Sequence, residues 1–99
     1  LVVGSGSGNT RTIALLAQQA KDHGAKLALI SRTADSTIGK IADITVVIPG
    51  VENPEGAPAG TGGSFYHVLV QTVDMIRGYV CEMIGVTSAD MHYNHNNLE

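Results

Sequence analysis

The sequence predicts an α/β protein with a doubly wound parallel sheet, because short apolar runs alternate along it with helical segments and polar or glycine-rich loops. The apolar runs that we interpret as strands are residues 1–3, 27–30 and 44–48. Such runs are typical of strands that are buried on both faces of a parallel sheet. A sheet of three strands is thin, so we expect its first strand to have an open edge.

The helices predicted between and after these strands follow from apolar spacing and from capping residues. The predicted starts are Asn9 or Thr10, Asp35 or Ser36, Ser64, and Thr87 or Ser88. The first of these helices should end near Gly24, the short second one near Ile41, and the long third one at Ile84. Residues 49–63 contain all three prolines of the chain and are predicted to form a loop.

Length and composition limit the classes of function. A chain of 99 residues allows one domain, and 43% hydrophobic residues are enough to build a core. A net charge of -3 argues against a general nucleic-acid binder, and no apolar run is long enough to span a bilayer. The single cysteine, Cys81, fits a reducing cytoplasm. Because the chain starts in a short strand without Met, we expect residues 1–99 to be one N-terminally truncated domain.

The residues with the clearest chemistry form the loop between the first strand and the first helix, Gly4-Ser5-Gly6-Ser7-Gly8-Asn9-Thr10. Glycines allow backbone N–H groups to approach an anion, and the start of the helix adds exposed N–H groups and a positive dipole end. Ser5, Ser7 and Thr10 add short hydroxyl donors. The loop therefore predicts a phosphate site that needs no lysine, metal or cofactor.

Two better-known phosphate loops fit this segment poorly. A dinucleotide-binding loop would have a third glycine where Asn9 stands, and a P-loop would have a lysine, whereas no lysine precedes Lys21. The alternatives that stay open are a nucleotide-binding domain and a tight strand-to-helix turn that binds nothing.

A second polar segment follows the second strand and contains Ser31, Thr33, Ser36 and Lys40. Neighbouring parallel strands end at the same edge of a sheet, so this segment should lie beside the first loop and could contact a sugar or its phosphate. Alternatively, Ser36 only caps a helix and Lys40 only faces solvent.

Together the two segments resemble the sugar isomerase (SIS) domain family. The family motifs Gly-Ser-x-Ser-Gly-x-Thr and Ser-x-x-Gly/Ala-Lys-x-Ala-Asp match residues 4–10 and 36–43. Residues 85–91 and 95–99 are similar to the end of the 6-phospho-3-hexuloisomerases within that family. The resemblance covers essentially the whole chain but only the C-terminal part of a family domain.

The resemblance implies a flavodoxin-like three-layer fold and a cytoplasmic homo-oligomer, either a dimer or a tetramer. It also implies a metal-free isomerisation of a phosphosugar, in which 3-hexulose 6-phosphate and fructose 6-phosphate are interconverted. By matching position, the phosphate would be held by Ser5, Ser7 and Thr10, assisted by the amides of Gly6 and Gly8. The catalytic histidine of the family matches His95.

One residue departs from the family pattern. The long helix usually carries a glutamate as the proton-abstracting base near its start, and this chain has His67 at that position. An imidazole can accept a proton near neutral pH, but it differs from a carboxylate in reach and geometry. His67 is thus a base, a non-catalytic ligand contact, or helix surface, and a non-catalytic sugar-phosphate-binding module is the alternative to an isomerase.

Overall fold

The structure, a computed structural model, describes residues 1–48 and 65–93. Its elements, in chain order, are β1 (Val2–Gly4), α1 (Arg11–Asp22), β2 (Ala28–Ser31), β3 (Ile44–Val47), α2 (Phe65–Ile84) and α3 (Ser88–Tyr93). The three strands are parallel and lie in the order β1-β2-β3. The predicted α/β class with a parallel sheet is therefore confirmed, whereas the predicted loop over residues 49–63 lies outside the described residues.

Helices cover both faces of the central strand β2. Successive side chains of a strand point to opposite faces, and Leu29 and Ile30 accordingly belong to separate buried clusters. Leu29 packs in the cluster that contains Ala17 of α1, and Ile30 packs in the cluster that contains Phe65 at the start of α2. Residues of α1 and of the start of α2 therefore cover opposite faces of β2, as expected for a doubly wound fold.

The end of α1 agrees with its sequence signal. His23 is the C-cap residue, and Gly24 follows it with φ +79°, a conformation that glycine adopts without a Cβ penalty. The N–H of Ala25 donates to Ala20 O and the N–H of Gly24 donates to Lys21 O, both at 2.9 Å. This Schellman pattern satisfies carbonyl groups that the end of a helix otherwise leaves unpaired.

The short helix predicted from Asp35 or Ser36 to Ile41 is wrong, because residues 37–41 form turns instead. The Oγ of Ser36 accepts the N–H of Gly39 at 3.0 Å, and the N–H of Ile38 donates to Gly8 O at 3.0 Å, in the other loop. A six-residue segment with a central glycine gains little from helix formation, so side-chain and tertiary hydrogen bonds decide its conformation.

The chain forms two compact units, Leu1–Leu69 and Val70–Glu99. The first contains the sheet, both loops and both buried clusters. In the second, Thr87 and Asp90 form a capping box at the start of α3: Thr87 N–H donates to Asp90 Oδ2 at 2.8 Å and Asp90 N–H donates to Thr87 Oγ1 at 3.3 Å. A single domain over residues 1–99 stays a prediction. None of the helices in the described ranges is long and apolar enough to cross a membrane.

Candidate functional site

The loop from Gly4 to Thr10 connects β1 to α1 and is held by backbone hydrogen bonds. The N–H of Ser5 donates to Ile30 O of β2 at 3.0 Å, and the N–H of Gly8 donates to Ser5 O at 3.1 Å. Gly8 has φ +64°, in the region that favours glycine. The loop is therefore a tight turn that starts at the carboxyl end of β1 and is bonded to the neighbouring strand.

Two buried serines of the second segment lie directly beside Gly8. Ser31 and Ser36 are 0% and 4% exposed. A Cβ atom on Gly8 would collide with the side chain of Ser36 and would lie 3.3 Å from Ser31 Oγ. The predicted contact between the two polar segments is thus present, and it depends on the missing side chain of Gly8.

The hydroxyl groups of these serines serve the loops' own backbone. Ser31 Oγ donates to Gly6 O at 3.2 Å, while Ser36 Oγ accepts the N–H of Gly39. Ser31 therefore supports the first loop through this hydrogen bond, whereas the hydroxyl of Ser36 supports the turn of its own segment. Lys40 has a 74% exposed side chain, and its Nζ lies 3.9 Å from Asp35 Oδ1. Its ammonium group is thus a solvated surface cation.

The three hydroxyl residues of the first loop differ in their surroundings. Ser5 is 4% exposed, and its Oγ shares a hydrogen bond of 3.1 Å with the Oγ1 of Thr10. Thr10 is the N-cap residue of α1, yet its side chain makes no capping hydrogen bond. Ser7 is exposed, and its Oγ accepts the N–H of Asn9 at 3.2 Å, which leaves the hydroxyl proton of Ser7 free to donate.

Several backbone N–H groups around the loop have no acceptor within the described residues. The carbonyl of Gly6 accepts the N–H of Arg32 at 3.1 Å as well as the Ser31 hydroxyl. Because a trans peptide directs its C=O and N–H in opposite directions, the N–H of Ser7 points away from these partners. The N–H groups in the first turn of α1 also lack a side-chain cap. Donors without acceptors beside a helix N-terminus can bind an anion.

Asn9 joins the two loops, a role that the sequence does not reveal. Its Oδ1 accepts both the N–H and the Oγ1–H of Thr37, each at 2.8 Å, and its Nδ2 donates to Ser7 O at 3.1 Å. An asparagine in a turn indicates local side-chain hydrogen bonds. A partner 28 residues away has no signal in one sequence.

Arg32 is the second residue that sequence patterns do not single out. Its Cζ lies 5.5 Å from the centroid of the Phe65 ring. A Cβ atom on Gly6 would lie 3.4 Å from Arg32 Nε, which places the guanidinium beside the first loop. The only sequence signal is a cation directly after a strand that ends at the predicted site.

The two predicted catalytic histidines lie in different parts of the chain. His67 lies in the first turn of α2 with an exposed side chain, close to the buried Phe65. His95 lies outside the described residues. Among residues 1–48 and 65–93, no three histidine, cysteine or acidic side chains are grouped so that they could hold a metal ion.

Comparisons with known proteins give a family and several relatives. The model of the SIS domain family matches residues 1–75. A 3-hexulose-6-phosphate isomerase of Methylomonas aminofaciens is 31% identical over 106 residues, which cover 99% of this chain and 56% of the relative. A protein of the same name from Bacillus subtilis (strain 168) is 30% identical over 106 residues, which cover 100% of this chain and 56% of that relative. The chain thus spans about half the length of the curated relatives it matches.

A solved structure supports the same fold. A protein described as "Crystal structure of an hypothetical protein" superimposes with a TM-score of 0.81 and 28% sequence identity. The match covers 99% of this chain and 55% of that one. An uncharacterised protein of Archaeoglobus fulgidus is also 30% identical over 100% of this chain.

Proposed function

The chain belongs to the SIS domain family, and on that premise we propose that it binds a sugar phosphate and forms part of a phosphosugar isomerase. The substrate pair that we propose is 3-hexulose 6-phosphate and fructose 6-phosphate. The names of the relatives in Methylomonas aminofaciens and Bacillus subtilis (strain 168) support this choice, as does the similarity of residues 85–91 and 95–99 to that subfamily.

The observation that carries the proposal is the set of free donors around the Gly4–Thr10 loop. The carbonyl of Gly6 turns toward Ser31 and Arg32, so the adjacent N–H of Ser7 faces away from them. The Thr10 side chain does not cap α1, so the first N–H groups of that helix are available. A phosphate group offers the several acceptor oxygens that such donors need.

In this proposal each loop residue has a distinct task. Ser7 donates a hydrogen bond from its hydroxyl group to the phosphate. Ser5 and Thr10 present their paired hydroxyl groups on the side of the phosphate that faces α1. Gly6 contributes its amide. The amide of Gly8 already donates to Ser5 O, so Gly8 contributes through its φ of +64° and the space beside it. Ser31 and Ser36 hold the loop in place, and Lys40 adds long-range positive charge.

The proposed chemistry is proton transfer next to a carbonyl group. A base removes a proton from the carbon beside the ketone, and an enediol forms, which is reprotonated at the neighbouring carbon. We propose His95 and His67 for these proton transfers, because imidazole is the side chain that most often acts as a general acid or base. The reaction needs no redox cofactor, since the substrate and product are isomers.

A second candidate function is a binding module without catalysis. His67 is the specific observation that favours it, because an exposed imidazole stands in the first turn of α2 where the family usually has a glutamate. Conversion of 3-hexulose 6-phosphate by the parent chain supports the isomerase. Activity that appears only in the His67→Glu variant supports the binding module.

We also propose a cytoplasmic homo-oligomer, a dimer or a tetramer. Within α2, apolar side chains that face solvent include Val70, Val73, Met75, Tyr79 and Met83, with exposed fractions of 47–85%. Apolar side chains gathered on one helix are typical of interfaces between subunits. Sedimentation velocity over a range of concentrations tests this part of the proposal.

Binding of fructose 6-phosphate, measured by isothermal titration calorimetry, tests the proposed phosphate site. The Ser7→Ala variant should bind more weakly by about 1–3 kcal/mol, because a hydrogen bond to a charged phosphate is lost. Gln18→Ala is the control, since Gln18 is an exposed residue of α1 whose side chain, among the described residues, bonds to Asp22 at 2.8 Å. Equal affinities of the parent and Ser7→Ala would remove Ser7 from the site.

A further inference from the structure

We propose that Arg32 contacts the bound ligand and makes the site selective for a doubly charged phosphate monoester. This inference rests on the proposed function, since it concerns the same loop. It adds a cation in direct contact with the ligand to a loop whose predicted donors are hydroxyl and backbone groups.

The position of Arg32 places its guanidinium beside the loop. Arg32 directly follows β2, and its own N–H donates to Gly6 O at 3.1 Å. A Cβ atom on Gly6 would lie 3.4 Å from Arg32 Nε and 3.5 Å from Nη2. The guanidinium is therefore close to the peptide that precedes Ser7, within reach of an anion held by the Ser7 N–H.

Phe65 holds the guanidinium in this place. The Phe65 ring is 1% exposed, so it is a fixed platform, and Arg32 Cζ lies 5.5 Å from its centroid. A guanidinium over an aromatic face gains cation–π energy and keeps its N–H groups free at its edges. Such an arrangement reduces the entropy that Arg32 would lose when it binds an anion.

The charge of Arg32 is not compensated by a carboxylate within the described residues. Four other cations do have an ionic partner among the described residues: Lys21 and Lys26 pair with Asp43, Lys40 pairs with Asp35, and Arg77 pairs with Asp74. Arg11, the first residue of α1, is the remaining arginine without such a pair. Unlike Arg32, it has no aromatic platform in this part of the chain.

A ligand pair that differs only in charge tests the inference. Fructose 6-phosphate and fructose 6-sulfate have similar shapes, but near pH 7.5 the phosphate carries almost two negative charges and the sulfate carries one. We expect the parent chain to prefer the phosphate, as measured by isothermal titration calorimetry. Arg32→Gln should weaken phosphate binding by about tenfold or more and should reduce the preference for phosphate over sulfate. Arg32→Lys should keep part of the affinity for the phosphate and part of the preference for phosphate over sulfate.

Two control variants separate a direct contact from a general effect of charge. Arg11→Gln removes the other unpaired arginine, and Lys26→Gln removes an exposed cation that precedes β2, at the opposite end of the strand. Lys26→Gln should bind fructose 6-phosphate within about threefold of the parent, because its effect is only long-range and screened by salt. Arg11→Gln keeps the backbone N–H at the start of α1 and should lose clearly less affinity than Arg32→Gln. Urea unfolding of each variant verifies that it folds.

The outcomes distinguish this inference from the proposed function. If the parent binds fructose 6-phosphate but Arg32→Gln binds it equally well, the Arg32 contact is wrong and the phosphate site stands. The same conclusion follows if Arg11→Gln loses as much affinity as Arg32→Gln. If the folded parent binds neither ligand, the proposed function fails and this inference fails with it.

Discussion

Gly8 and Gly24 have similar backbone conformations but very different surroundings. Their φ angles are +64° and +79°, respectively. A Cβ atom on Gly8 would meet the side chains of Ser36 and Ser31, whereas nothing lies within 4 Å of a Cβ atom on Gly24. The comparison therefore separates two reasons for a glycine, namely the conformation of its backbone and the space beside it.

Substitution of each glycine by alanine measures these two contributions. Gly24→Ala should lower the free energy of unfolding by about 1–2 kcal/mol, the cost of a left-handed residue with a Cβ atom. Gly8→Ala should cost about 1–3 kcal/mol more, because the buried Ser36 must also move. Urea unfolding of both variants measures the difference. Equal losses would show that the loop adjusts to the added methyl group without strain.

The serines of the first loop show what residue types alone can predict. The sequence predicts hydroxyl donors at Ser5, Ser7 and Thr10 from the same reasoning. The structure distinguishes them, because Ser5 is buried and pairs with Thr10 whereas Ser7 is exposed. Burial depends on how the loop folds onto β2, and residue type carries no information about that.

At the level of elements, the two loops act as one unit because Asn9 connects them. Asn9 Oδ1 accepts two hydrogen bonds from Thr37, and the N–H of Ile38 donates to Gly8 O. The second loop therefore holds the side chain of Asn9 and the carbonyl of Gly8 in the first loop. We expect the link to stabilise the loop conformation that binds phosphate.

Variants of Asn9 test this link. Asn9→Ala loses the acceptor for Thr37 and should lower the free energy of unfolding by about 1–2 kcal/mol, roughly the net value of one or two hydrogen bonds. Asn9→Asp keeps an acceptor for Thr37 and should retain more of that stability. Its added negative charge should nevertheless weaken the binding of fructose 6-phosphate. Urea unfolding and calorimetry measure the two effects, and a fully stable Asn9→Ala variant would contradict the role of the link.

The elements of this fold differ in how well the sequence predicts them. Local signals predict the end of α1 near Gly24 and the start of α3 at Thr87 or Ser88, and both are confirmed. The predicted short helix at residues 36–41 is wrong, because the side chain of Ser36 and distant partners, Gly8 and Asn9, decide the conformation of that segment. The roles of Asn9 and Arg32 also depend on such partners, so local patterns do not reveal them.

At the scale of the molecule, Asp43 connects the elements at the amino-terminal end of the sheet. It is the last residue of the second SIS motif, yet it lies just before β3, away from the loops that follow β1 and β2. Its carboxylate accepts the N–H of Leu27 at 2.7 Å and the ammonium group of Lys21 at 2.9 Å. One side chain thereby joins α1, the start of β2 and the start of β3. This motif residue therefore stabilises the fold.

The same contacts make the stability of the protein depend on pH. The N–H of Leu27, followed by Lys21, lowers the pKa of Asp43 below its ordinary value of 3.8. A carboxyl group whose pKa is lower in the folded state stabilises the fold above the unfolded pKa. This stabilisation is lost as the pH falls from about 4 through the lower folded value, because protonation then favours unfolding.

Asp43→Asn should therefore unfold more easily than the parent at pH 7, and the difference in the free energy of unfolding should shrink below about pH 4. The amide can still accept the Leu27 N–H, but it attracts neither Lys21 nor Lys26. Asp74→Asn breaks the exposed pair of Asp74 with Arg77 and should cost little at pH 7. Urea unfolding of the parent and both variants between pH 3 and 7 measures these differences. A deficit of Asp43→Asn that stays constant over this range would show that its charge does not support the fold.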